Sequence, residues 1–207
     1  MTCGYGVETT DEKEGFSDET ANHYYTYAAL SARALKAQHV VVARSGIGIY
    51  RNYNGPKTGN ADCMPRVYDQ TLFGVDTLKW DFARYTPDVV CVNLGTNDVS
   101  TDPYDKTMLE NAYRDFYYTI RAKYPDAKIV FLSGCMLVGR RLEHVQFALD
   151  AVVRQARLKG DENVFRFDMA SQDGKLGYGA SWHPSLWQQE KMAGELTSYL
   201  RGLMKWF

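Results

Sequence analysis

The sequence predicts an α/β fold built on a parallel sheet, and three observations predict it. Short runs rich in β-branched and aromatic residues alternate with longer stretches of helical periodicity, the mark of repeated βα units. The composition, 45% hydrophobic and 14% aromatic, is that of a chain able to bury a core. No internal repeat, low-complexity tract or interdomain linker interrupts the alternation, so residues 1–207 are expected to form a single domain.

Four runs, 39–44, 88–94, 128–133 and 163–168, are strand candidates, and all but the first are closely preceded by Pro, Gly or Asp. The run at 88–94 reads as a buried strand. Residues 18–37 carry Tyr24, Tyr27, Ala28, Leu30 and Leu35 at helical spacing, with Ser17 placed to cap the start. Helices are also expected over 103–124, 142–158 and 186–204, the last announced by Pro184 and Ser185. Residues 47–77, rich in Gly, Asn, Pro and Tyr, are too long for a plain connection and read as a functional loop holding one short helix.

Charge and cysteine content narrow the function. With 24 basic and 25 acidic side chains the net charge is −1, which offers no electrostatic footprint for nucleic acid and no polybasic patch for a membrane. No apolar run approaches the roughly 18 residues of a membrane span, and no signal peptide is visible. Cys3, Cys63, Cys91 and Cys135 show neither disulfide nor metal-ligand spacing, and Cys91 and Cys135 sit where buried free thiols are common. No metal or organic cofactor is expected.

The chemistry concentrates at strand ends. Acyl transfer needs a nucleophile, a base for its proton, and donors where the oxyanion develops. Ser45-Gly46-Ile47-Gly48 follows the first strand candidate and would present the Gly46 N–H at its carboxyl end, while Asn97, in Gly95-Thr96-Asn97-Asp98, adds a side-chain amide after the next. The same four residues also suit an ordinary turn and helix cap. The glycines at 46 and 48 would also suit a dinucleotide loop, but Arg51 stands where its third glycine belongs. His183, on a loop before the final helix, is the candidate base, whereas His23, His39 and His144 read as structural. Residues 179–182 hold no carboxylate to orient it, which leaves Asp168, Asp173 or, preferably, a backbone carbonyl. Among the loop aromatics, Trp182 is expected to touch substrate and Trp187 to pack in the core; Tyr50, Tyr53 and Tyr178 could join a platform for a sugar ring.

Thr2-Cys3-Gly4-Tyr5-Gly6, Ser45-Gly46-Ile47-Gly48-Ile49, Pro87-Asp88-Val89-Val90 with Asn93-Leu94-Gly95-Thr96-Asn97-Asp98, and Trp182-His183-Pro184-Ser185 together resemble the signature blocks of the SGNH (GDSL-type) hydrolases. The wording is nearest to carbohydrate esterase family 2, acetyl esterases acting on plant polysaccharides. The resemblance implies a three-layer α/β/α sandwich around a parallel sheet, Gly46 and Asn97 as oxyanion-hole residues, His183 as the base, an acetylated carbohydrate as substrate and an extracellular setting. It also covers members with a Ser-His dyad, which fits Ser181 standing where the wider superfamily often has Asp.

One part departs from the pattern. In the family the first strand ends in Gly-Asp-Ser, then an apolar residue, then the stretch matched here from Thr2. Met1 takes the apolar position, so the resemblance puts the nucleophilic serine just ahead of it. A truncated or mis-started reading of a complete gene is the preferred explanation over a fragment or a domain that has lost its chemistry. Cys3 lies three residues past the serine position, a poor place for a substitute nucleophile. The expectation is a carbohydrate O-acetyl esterase domain, with little activity and low stability in the chain as it stands. The alternative is a domain that binds carbohydrate without turnover.

Overall fold

A computed structural model describes residues 1–206 of the chain. In chain order its regular elements are α1 (Tyr27–Leu35), α2 (Met64–Val67), β1 (Val89–Asn93), α3 (Thr96–Val99), α4 (Lys106–Lys123), β2 (Lys128–Ser133), α5 (Gly139–Leu158), β3 (Val164–Asp168) and α6 (Leu186–Met204), with one short 3-10 turn before α1 and two between later elements. The chain divides into two compact units. A sheet unit comprises 46–133 and 137–168, and a helical unit comprises 1–45, 134–136 and the residues from 169 onward.

The sheet unit is a parallel three-stranded sheet in the order β1-β2-β3. Parallel neighbours demand crossovers, and α4 and α5 supply them. Strand order follows chain order, so right-handed crossovers carry both helices to one face, where α4 and α5 pack on each other. Their buried residues, Leu109, Tyr113, Phe116 and Ile120 from α4 and Val145, Leu149 and Val152 from α5, recur at helical spacing and close over Ile129 and Phe131 of β2. Central β2 is buried from Ile129 to Ser133 on both faces, as a parallel strand between two others should be.

Two strand expectations are corrected. Residues 39–44 form no strand: β-branched residues stabilise a ladder only against a neighbour, and these pair with no strand among the described residues, leaving Val40, Val41 and Val42 56%, 40% and 40% exposed. β1, expected to be buried, is an edge of the described sheet. Of its residues only Val92 is fully buried, and Cys91 is exposed rather than the buried thiol foreseen. Cys135 is buried as expected.

The helical unit pairs α1 with α6. Buried Gln189 of α6 joins them: its Oε1 accepts the N–H of Tyr27 at the start of α1 (2.8 Å), and its Nε2 donates to Met1 O (3.2 Å). The helix expected over 18–37 is shorter than predicted because side chains upstream compete for its N–H groups. Ser17 Oγ accepts from Glu19 N in a local turn, Asn22 caps a 3-10 turn at His23–Tyr25, and Thr26 becomes the N-cap of α1. The final helix runs over the predicted span, capped by Ser185. Trp187, expected in the core, stands on its outer side, 63% exposed. The short helix foreseen within 47–77 is α2, with a proline in its first turn.

Candidate active site

In the helical unit, the loop before α6 is nailed down at both ends. Tyr178 and Pro184 form an antiparallel bridge, Gly179 N donates to His183 O (2.8 Å), and Ser185 Oγ donates to Leu176 O (2.7 Å) while capping α6. Between them Ser181 and Trp182 are held at φ +49° and +55°, a left-handed conformation costly for non-glycine residues. Such strain persists only where surrounding bonds over-determine it. Here Ser181 N and Oγ both donate to Glu14 O (3.0 and 3.1 Å).

The kinked loop turns His183 back on its own backbone, where Nδ1 lies 3.0 Å from Ala180 O. A carbonyl can only accept, so Nδ1 carries the proton and Nε2 keeps the free lone pair that a general base needs. The orienting group is thus the backbone carbonyl preferred from the sequence. Both carboxylates offered as alternatives are engaged: Asp168 accepts from Ser133 Oγ (2.6 Å) and from Arg166 (2.6 and 3.0 Å), and Asp173 pairs with Lys175 (2.8 Å). Burial pushes the His183 pKa down to about 4, so the ring is neutral at neutral pH. Trp182 is 54% exposed, and Gln172 Nε2 donates to its carbonyl (2.9 Å).

In the sheet unit, Asn97 on α3 is bonded to the loop that carries Gly46. Asn97 Nδ2 donates to Ile47 O at 2.8 Å, which fixes the amide orientation and leaves its second N–H uncommitted by that bond. Gly46 takes φ +75° and its carbonyl accepts Tyr53 N (2.8 Å). The sequence blocks containing Gly46 and Asn97 are therefore joined by a direct hydrogen bond.

Two residues that sequence reasoning assigned no role hold this loop. Buried Asp98 gathers three consecutive backbone N–H groups, those of Ile49 (3.0 Å), Tyr50 (2.8 Å) and Arg51 (2.9 Å). Burial pushes its carboxyl above the usual range against the downward pull of those donors. Buried Arg51 donates to the carbonyls of Gly55, Asp98, Thr101 and Pro103 and to Thr101 Oγ1. Gly48 must be glycine, since a Cβ there would overlap Arg51 O. The signals were an Asp directly after the candidate Asn and an Arg within a Gly- and Asn-rich loop.

The remaining histidines are held in local contacts. His23 Nδ1 bonds Thr2 O (2.8 Å), His39 stacks on His23, and His144 Nδ1 bonds Tyr104 Oη (2.7 Å). Gly95-Thr96-Asn97-Asp98 is also the turn into α3, with Gly95 as its N-cap at φ +91°. No His, Cys, Asp or Glu cluster among the described residues is arranged to hold a metal ion, and no described helix is long and apolar enough to cross a membrane.

A parallel α/β sheet with an Asn after its first strand, a Gly loop bonded to that Asn and a loop histidine before the last helix defines a GDSL-type hydrolase fold. Residues 1–190 match the GDSL-like Lipase/Acylhydrolase family, and the chain belongs to that family. Its relatives are carbohydrate esterases. The cellulase/esterase CelE of Acetivibrio thermocellus is 39% identical over 207 residues, 100% of this chain and 25% of that protein. An acetylxylan esterase / glucomannan deacetylase of Cellvibrio japonicus is 34% identical over 209 residues, 100% of this chain and 55% of that protein. Among solved structures, a family two carbohydrate esterase from Clostridium thermocellum in complex with cellohexaose superposes with a TM-score of 0.94 at 38% identity, over 100% of this chain and 62% of that one. A family two carbohydrate esterase from Cellvibrio japonicus gives 0.86 at 29% identity, over 99% of this chain and 59% of that one. The chain thus spans between 25% and 62% of the length of these relatives.

Proposed function

We propose that this carbohydrate esterase-like domain removes O-acetyl groups from a plant polysaccharide or oligosaccharide by serine-type acyl transfer, with the serine supplied from outside residues 1–207. The single observation that carries the reading is the neutral, singly oriented His183, whose Nδ1 is committed to Ala180 O and whose Nε2 is left to accept a proton. In the proposed reaction a serine Oγ attacks the acetyl carbonyl carbon and His183 Nε2 takes the hydroxyl proton. The carbonyl oxygen becomes an oxyanion bound by Gly46 N–H and the free N–H of Asn97 Nδ2. Collapse expels the sugar alkoxide, which takes the proton back from His183. Water activated by the same imidazole then releases acetate and restores the serine. Trp182 is assigned a sugar-face contact, and neither metal nor organic cofactor takes part.

The experiment is acetate release from acetylated glucomannan, acetylated xylan and an aryl acetate by the chain joined to the coding segment that precedes Met1 in its gene. Hydrolysis lost on His183→Ala supports the reading, and no hydrolysis by the extended protein refutes it. The exposure of Trp182 and Tyr53, 54% and 61%, favours a second reading in which the domain binds carbohydrate without turnover. Calorimetric titration with mannan and xylan oligosaccharides separates the two.

A further inference from the structure

His183 is fixed by more than its hydrogen bond. The Tyr5 ring lies stacked on the imidazole, centroids 4.1 Å apart and planes inclined by 18°. We infer that Tyr5 is a positioning residue for His183, setting the plane of the base while Ala180 O sets its rotation within that plane. The inference rests on the reading of His183 as the base.

The backbone around Tyr5 is built to deliver that ring. Gly4 (φ +84°) and Gly6 (φ +57°) flank it in the left-handed region, and both are packed so closely that a Cβ would overlap Asn22 O in one case and Ala180 Cβ in the other. Gly6 O accepts Ala180 N (3.2 Å), so the residue after Tyr5 grips the residue whose carbonyl orients His183. The ring is braced as well: Tyr5 Oη lies 3.3 Å from Ser181 Oγ, and Phe16 packs on it with centroids 5.2 Å apart. One short segment therefore controls both degrees of freedom of the imidazole. A hydrogen bond alone leaves the ring free to rock about its axis, and a stacked face removes that motion. The π face also lies over the ring that becomes positively charged when the base accepts a proton.

The test is nitrogen NMR of histidine-labelled residues 1–207 at neutral pH, comparing the unaltered chain with Tyr5→Phe and Tyr5→Leu. The unaltered chain and Tyr5→Phe are expected to show His183 as one tautomer, protonated on Nδ1, with narrow ring signals. Tyr5→Leu is expected to show averaged signals, with the Nε2-protonated form raised several-fold. Should Tyr5→Leu fail to fold, Tyr5→Met fills the same space with a flexible chain and carries the same expectation. A Leu or Met variant that keeps a single Nδ1-protonated tautomer with narrow signals overturns the inference. In the extended protein the Leu variant is expected to lose about tenfold in kcat with little change in KM, and the Phe variant to restore it. An extended protein without hydrolysis but with the tautomer pattern intact overturns the esterase reading and leaves Tyr5 as the residue that sets the ring.

Discussion

His183 Nδ1 donates to Ala180 O across 3.0 Å, a carbonyl three residues earlier on the same loop. A neutral acceptor orients the ring without adding the negative charge that a carboxylate would place beside it. The backbone hydrogen bonds at Ala180 and Ser181 pull the pKa up, but burial outweighs them and it lies at about 4.

Stability follows from that shift. The folded pKa is below the unfolded value of about 6.5, so the unfolded chain binds the extra proton first. The His183 contribution is complete above about pH 6.5 and is lost as pH falls toward 4, amounting to roughly 1–3 kcal/mol after allowance for partial exposure of the ring. Urea denaturation at pH 7 and at pH 4.5 should show a larger loss for the unaltered chain than for His183→Gln.

Because no carboxylate orients His183, Asp168→Asn and Asp173→Asn should leave its tautomer unchanged in nitrogen NMR. Asp168→Asn should still cost about 1–3 kcal/mol in chemical denaturation, since it weakens the carboxylate's bonds to Arg166 and Ser133 at the carboxyl ends of β2 and β3.

Asp98, next to Asn97 on α3, holds the loop that follows Gly46, the other proposed oxyanion donor. Asp98→Ala leaves the N–H groups of Ile49, Tyr50 and Arg51 without their acceptor. The expected loss is about 3–5 kcal/mol in urea denaturation, accompanied by faster amide exchange at those three residues.

Gly95 is required for two reasons: its φ of +91°, and Tyr113 Oη, which would stand 2.5 Å from an added Cβ. Gly95→Ala should destabilise by at least about 1 kcal/mol, whereas Gly194→Ala on α6, where a Cβ meets nothing, should be neutral or stabilising. Thermal unfolding of the two variants checks the contrast.

Much of the frame was legible in the sequence because periodicity is a direct consequence of burial. β2 and α6 occupy their predicted spans, since each has an uninterrupted apolar pattern and α6 has a clean serine cap. The amino-terminal third was less legible. Helix periodicity over 18–37 was overruled by Ser17, Asn22 and Thr26 bonding the local backbone, and the valines at 40–42 had β-propensity without a neighbour to pair with. At the site, Gly46, Asn97 and His183 carry their chemistry in residue type. Asp98, Arg51 and Tyr5 act through three-dimensional contacts with backbone groups and a ring that no spacing rule encodes.

The central claim is that His183 serves as the base of a serine esterase, and acetate release by the extended protein tests it most directly. Initial rates on acetylated glucomannan are measured for the unaltered chain, His183→Ala and Asn97→Ala. Turnover is expected to fall by at least about a thousandfold in His183→Ala and by about a hundredfold in Asn97→Ala. Turnover that survives His183→Ala, or none in the unaltered extended protein, would contradict the claim.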